Sequence, residues 1–135
     1  MNVLSRDAFV GPQARQIVVE EVPMPELGDG AVALVRGMTG TDRDAYEAAM
    51  ITQRGKRSTV NLENMRAKLV ARCLVNPDGT RVFTDDEIGH VGQMRADLLD
   101  RLYAVAQRLS GLREEDIDEL GKSSSTPTGT SSSSN

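Results

Sequence analysis

The feature that most constrains the fold is a run of apolar residues that recur at steps of three and four between residues 84 and 112. This spacing places the side chains on one face of an α-helix, so it predicts one long amphipathic helix whose apolar face another layer of structure must cover. The face consists of Ile88, Val91, Met94, Leu98, Leu102, Val105 and Leu109.

Both ends of this helix carry recognisable signals. Thr84 and Glu87 match the S/T-x-x-E capping box at its start. Gly111 stands where a left-handed residue commonly ends a helix. Gly89 and Gly92 each lower helix stability by about 1 kcal/mol relative to alanine, so we expect the first turns to fray or bend.

A second apolar row adjoins the first and comprises Leu99, Tyr103 and Ala106. Two interpretations are open. The row packs against neighbouring helices, which we favour, or part of it is an exposed docking surface for another protein. Under the second interpretation the candidate partner-binding residues are Leu99 and Tyr103.

Two β-branched runs near the N-terminus predict strands: QIVVEEV at 16–22 and AVALVR at 31–36. The intervening PMPELGDG contains two prolines and two glycines, which prevent the first strand from continuing. We therefore expect an antiparallel pair joined by a loop that is longer than a tight turn.

Two shorter helices are predicted between the strands and the long helix. Thr41 and Asp44 resemble a capping box for the first, and Asn61 suits the N-cap of the second. The polar, basic stretch QRGKRS (53–58) predicts a solvated loop between them, and NPDG (76–79) predicts a tight turn after them. The apolar stripe of the second helix consists of Leu62, Met65, Leu69, Val70, Cys73 and Leu74.

The end of the chain differs in composition. REEDIDELG (113–121) predicts a short acidic helix. The Ser/Thr-rich residues 123–135 carry no charge and no aromatic side chain, so we expect them to be disordered. The predicted organisation is a single domain over 1–121 with a disordered tail over 122–135.

The predicted fold class is α+β. A small N-terminal antiparallel strand pair is followed by three or four helices, of which one is the long C-terminal amphipathic helix, and then by the disordered tail.

Composition excludes several classes of function. Aromatic residues make up 3% of the chain, too few for a platform that stacks nucleobases or sugars. Net charge is −4, and residues 84–120 carry 10 Asp/Glu against 4 Lys/Arg, which disfavours nucleic-acid binding. The single cysteine cannot form an intramolecular disulfide, so a reducing compartment is expected. Without an apolar run that suits a signal peptide or a membrane span, the prediction is a cytoplasmic protein.

No residue pattern predicts catalysis, a cofactor or a metal site. His90 lies between two glycines without a cluster of other ligands, and is interpreted as solvent-facing. Cys73 lies on an apolar helix face and is interpreted as a small core residue. Asp85, Asp86 and Glu87 are consecutive, so they point in different directions around a helix, and capping explains them without an ion.

Three segments, taken in order, resemble the tail assembly chaperones of long-tailed siphophages, particularly those of actinobacterial phages and prophages. They are VRGMTGTDRDAYEAAM (35–50), NMRAKLVARCLVNPDGTRVFTDDEIGHVG (64–92) and LDRLYAVAQRLSGLREEDIDELGK (99–122). The resemblance spans roughly residues 15–122. The resemblance implies a role for this chain, but it does not identify any binding residue.

The resemblance implies a non-catalytic protein that binds the tape measure protein and recruits tail tube subunits in the host cytoplasm, and that is absent from the mature virion. It also implies a longer form made by programmed ribosomal frameshifting, because Gly121 and Lys122 can be encoded by a slippery run. Spare apolar surface on the long helix allows self-association. The alternative hypothesis is a structural virion protein, such as a head–tail connector or a minor tail component.

Overall fold

The computed structural model describes residues 1–113, apart from the side chains of residues 53 and 54. The α-helices are α1 (Arg6–Val10), α2 (Pro12–Arg15), α3 (Gly40–Ala49), α4 (Met65–Cys73), α5 (Ile88–Gly92) and α6 (Ala96–Leu109). The strands are β1 (Val19–Pro23), β2 (Val32–Arg36), β3 (Ile51–Arg54), β4 (Arg57–Val60) and β5 (Leu74–Val75), and short 3₁₀ helices span Pro25–Leu27 and Asp85–Glu87. The predicted α+β class, with antiparallel strands near the N-terminus and an amphipathic helix near the end of the described residues, is confirmed.

The predicted pair is present as β1 and β2, and β5 joins them in a three-stranded antiparallel sheet with the order β1-β2-β5. The third strand was not predicted, because its residues were assigned to the end of the preceding helix. The NPDG turn is confirmed: the Gly79 N–H donates to the Asn76 carbonyl at 2.9 Å, and Gly79 has a φ of 90°. This turn reverses the chain, so that Arg81 forms a bridge with Val75.

The core lies between one face of this sheet and helices α3 to α6. Val22 and Val35 reach it from the sheet, Leu69 and Cys73 from α4, and Leu102 from α6, and all five are buried. At the end of β2 the contact involves the backbone itself. A Cβ added at Gly37 would stand 2.6 Å from the Leu109 carbonyl oxygen, so only glycine lets β2 approach the end of α6 this closely.

The single long helix predicted over residues 84–112 is interrupted, which corrects the prediction. A 3₁₀ turn and α5 come first, and α6 begins only at Ala96, after Arg95 has taken an extended ψ of 137°. Gly92 permits close packing of α5 on α4, because a Cβ there would meet the Asn64 side-chain oxygen at 3.0 Å. The prediction of a bend near the glycines is therefore confirmed, but the continuous helix is wrong.

The end of α6 follows the prediction in detail. Gly111 has a φ of 72°, its N–H donates to the Arg108 carbonyl, and the Leu112 N–H donates to the Gln107 carbonyl. These are the two hydrogen bonds of a Schellman motif. The accompanying hydrophobic contact is present as well, because the Leu112 side chain is buried.

Two predicted helix starts are displaced. Helix α3 is capped by Thr39, whose hydroxyl accepts from the Asp42 N–H at 3.1 Å, and the pair Thr41 and Asp44 does not form the box. Helix α4 begins three residues later than predicted. Asn61 instead accepts from the Glu63 N–H in a local turn.

The stretch 53–58 was predicted to be a solvated loop; residues 55–57 are exposed, but the irregular loop was wrong. It forms the turn of an antiparallel hairpin in which Ile51 pairs with Val60 and Thr52 with Thr59. Helices α1 and α2 were also not predicted. The acidic helix over 113–121, the boundary at residue 121 and the tail over 122–135 were predicted for residues that lie, except for Arg113, outside the described part of the chain.

Candidate protein-binding surface

A concave apolar surface lies on the outer face of the three-stranded sheet, opposite the helices. This feature, the sheet groove, has a volume of about 530 Å³. Its floor and walls include Val32, Leu34, Val75, Pro77, Val82 and Glu21. Because apolar residues make up most of the lining, beside Glu21 and Asn76, the groove suits an apolar segment of another polypeptide better than a polar small molecule.

The alternation of side chains along the strands explains why this groove is apolar. On β2, Ala33 and Val35 face the core, whereas Val32 and Leu34 face the groove. A strand that has one face in water normally alternates apolar with polar residues, whereas β2 carries apolar residues on both faces up to Arg36. Val32 nevertheless remains 50% exposed.

A second apolar surface belongs to residues 1–15, here called the N-terminal segment. None of its side chains is buried, although it folds into α1 and α2. Its exposed large apolar side chains are those of Met1, Val3, Leu4, Phe9 and Val10. Phe9 is 64% exposed. Large apolar side chains that stay exposed on a pair of short helices are typical of a segment that binds another protein surface.

The second apolar row of the C-terminal helix, for which packing was favoured over docking, is largely internal. Leu99 is buried at 9% exposure and belongs to the core, and Ala106 is fully buried. Tyr103 is partly buried against the core, with the Arg66 guanidinium 5.4 Å from the centre of its ring. The interpretation that this row packs within the molecule is therefore the one the structure supports. The partner-binding role of Leu99 and Tyr103 stays a prediction.

The candidate reactive residues do not converge on one site. Cys73 is buried, and burial raises the pKa of its thiol to about 11, despite a contact of 3.9 Å with the Ser110 hydroxyl. Its thiolate is therefore scarce near neutral pH. His90 is exposed on α5, as predicted.

Asp85 has a structural role in addition to its place in the first turn after the capping residue Thr84. Its carboxylate accepts from Arg81 at 2.9 Å and from Arg72 at 3.2 Å, so it joins the 3₁₀ turn to α4. The hydrogen bond from Arg81, supported by the nearby Arg72 charge, holds the pKa of Asp85 below its usual range. The predicted capping box is present, since the Glu87 carboxylate accepts from the Thr84 N–H at 2.8 Å.

Within residues 1–113, no group of three or more His, Cys, Asp or Glu side chains is arranged to hold a metal ion. None of the helices in that same part of the chain is long and apolar enough to cross a membrane.

Sequence reasoning missed both apolar surfaces. AVALVR carries apolar residues on both faces of the strand, but this pattern does not indicate which face the helices leave open. A signal for the N-terminal helices was present, since Pro12 follows Gly11 and occupies the first position of α2, where proline is favoured.

Comparison with known proteins supports the fold. No family model matches the chain, and no curated protein matches it. Among solved structures, the chain is similar to the structure of the bacteriophage HK97 tail assembly chaperone, with a TM-score of 0.52 and 18% sequence identity. The alignment covers 73% of this chain and 86% of that one. At this identity the likeness establishes a shared fold.

Proposed function

We propose that the chain is a non-catalytic tail assembly chaperone of a long-tailed phage or prophage. The observation that carries the proposal is the fold shared with the HK97 tail assembly chaperone, over 73% of this chain. The sheet groove adds a physical reason, because a protein that shields another polypeptide needs apolar surface that water can reach.

The proposed client is the tape measure protein, a long helical chain. A long amphipathic helix exposes an apolar stripe along its length, and such stripes aggregate in water. The groove lined by Val32, Leu34 and Val82 would bind one stretch of this stripe, and several copies would cover the rest. Tail tube subunits are then recruited to the covered chain, which displaces the chaperone.

Co-expression with fragments of the tape measure protein encoded nearby tests the proposal. The fragments should partition into the soluble fraction with the wild-type chain and into the pellet without it. Val32→Asp, which places a charge in the groove, should abolish this effect. Leu62→Asp is the matched control, because Leu62 is also 50% exposed but lies beside α4, away from the groove. Fragments that stay insoluble with the wild-type chain would contradict the proposed function.

The proposed role also places the protein in the host cytoplasm and outside the finished particle. Mass spectrometry of purified virions distinguishes a chaperone from a structural component. The chaperone should be absent from particles that contain the tube and tape measure proteins, whereas a connector or minor tail component would be present in them.

A longer frameshifted form is part of the same proposal. Gly121 and Lys122 can be encoded by a run of G followed by a run of A, on which ribosomes slip. An N-terminally tagged gene should then yield two products, and synonymous changes in codons 121 and 122 should remove the longer one. A single product from the unaltered gene would refute frameshifting without affecting the chaperone role.

A further inference from the structure

We propose that the N-terminal segment of one copy of this chain occupies the sheet groove of a second copy. Two apolar surfaces, each exposed in a single chain, would then cover one another. The segment would leave the groove when a client enters. That last step rests on the proposed function, whereas the association between copies does not.

The N-terminal segment has the side chains of a docking element. Val3 is 77%, Leu4 55% and Phe9 64% exposed, so most of their apolar surface faces water. The five residues of α1 form little more than one turn, too few to be stable by themselves. Contact with an apolar surface would both cover these side chains and stabilise the turn.

The groove has the complementary shape and charge. Its volume of about 530 Å³ can accept a phenyl ring together with aliphatic neighbours. Among the described residues that line it, Glu21 is the charged one. The N-terminal segment carries Arg6 and Arg15 against a single acidic residue, so its positive charge suits this carboxylate.

The connection between segment and sheet favours a second copy over the same chain. The Gly37 N–H donates to the Val18 carbonyl at 3.1 Å, which fixes Val18 beside the end of β2. Between Arg15, where α2 ends, and Val18 only two residues remain to turn the segment back. In the folded chain the segment lies away from its own groove, since Val3 and Phe9 are exposed and the described residues that line the groove include none of residues 1–15.

Analytical ultracentrifugation of the full chain tests the proposal over about 1 µM to 1 mM, where moderate self-association is measurable. The wild type should sediment as a dimer or a larger assembly. Phe9→Asp in the segment and Val32→Asp in the groove should each give monomers. Leu62→Asp should sediment like the wild type. All three positions are at least half exposed, so circular dichroism should show that the variants fold.

Mixing the two defective variants provides the decisive measurement. Phe9→Asp retains a groove and Val32→Asp retains a segment, so an equal mixture should form a pair of one chain each. A wild type that is monomeric throughout, or a Phe9→Asp variant that assembles normally, would overturn the proposal. A mixture that stays monomeric would do so too, because the intact segment of one variant would then have failed to bind the intact groove of the other.

Adding a soluble tape measure fragment separates this inference from the proposed function. Dissociation of the wild-type assembly by the fragment is the expected result. An assembly that requires Phe9 and Val32 but ignores the fragment would support the interface between copies and contradict the client role of the groove.

Discussion

The two faces of the three-stranded sheet have similar side chains and opposite surroundings. The inner face presents Val22 and Val35, at 3% and 1% exposure, to the helices. The outer face presents Val19 and Val32, at 52% and 50%, to water. Covering a valine completely is worth about 1.5–3 kcal/mol, so the inner face supplies stability while the outer face retains that free energy for association.

The difference shows that hydrophobicity alone does not identify a core. Both faces present valine side chains, and the position of the helices decides which of these valines are buried. Substitutions on the inner face should therefore reduce the free energy of unfolding, and equivalent substitutions on the outer face should not.

The largest expected effect is that of Leu102→Ala. Leu102 is 2% exposed on α6 against the inner face, and its truncation leaves a cavity in a packed interior. We expect the free energy of unfolding to fall by about 2–5 kcal/mol. Urea unfolding followed by circular dichroism measures it, and a loss under about 1 kcal/mol would show that the inner face is not the core.

Gly37→Ala tests the closest approach of sheet and helix. The added methyl group would stand 2.6 Å from the Leu109 carbonyl oxygen, so β2 and α6 must separate. Overpacking of this kind costs about 1–3 kcal/mol. Gly40→Ala is the matched control, because a Cβ there meets nothing within 4 Å. Equal stabilities of the two variants would mean that the contact is loose.

Glu26 joins the loop after β1 to α6, and it should make stability depend on pH. Its two carboxylate oxygens accept from Arg101 at 2.9 and 2.7 Å, and these bonds lower the pKa of Glu26 from 4.5 to about 2. A depressed pKa adds stability above pH 4.5, which is lost as the pH falls towards 2. The melting temperatures of wild type and Glu26→Gln should therefore converge over that interval, and Arg101→Leu should behave like Glu26→Gln. A constant difference in melting temperature between wild type and Glu26→Gln across this pH interval would contradict a stabilising Glu26–Arg101 pair.

The smallest expected effect is that of Val32→Thr on the outer face. The substitution keeps the β-branched shape and adds a hydroxyl that water can reach, so the monomer should change by less than about 0.5 kcal/mol. The measurement is urea unfolding at a concentration where the chain is monomeric. A loss comparable to that of Leu102→Ala would mean that the outer face is covered within the monomer.

Sequence patterns predicted the elements whose determinants are local. The Schellman end at Gly111, the turn over residues 76–79 and the capping box of Thr84 with Glu87 each depend on a few adjacent residues, and all three are present. The strand pair was also predicted, because β-branched runs separated by proline and glycine require no tertiary information.

Features that depend on distant contacts were displaced or missed. The cap of α3 lies at Thr39, whose partner Asp42 also forms ion pairs with Arg36 and Arg72, at 3.0 and 3.8 Å. A bend near Gly89 and Gly92 was predicted, but a complete break before α6 was not, because the apolar stripe continues in phase across residues 93–95. The open groove could not be predicted either, since the sequence indicates that β2 is apolar on both faces but does not indicate which face the helices cover.

The buried Leu112 closes the turn that ends α6. This side chain and the hydrogen bond from its N–H to the Gln107 carbonyl anchor the backbone at the corner between β2 and α6. The turn that ends α6 is thus held by a backbone hydrogen bond and by apolar burial at once. A polar substitution at Leu112 would therefore loosen the end of this helix and open the core in a single step.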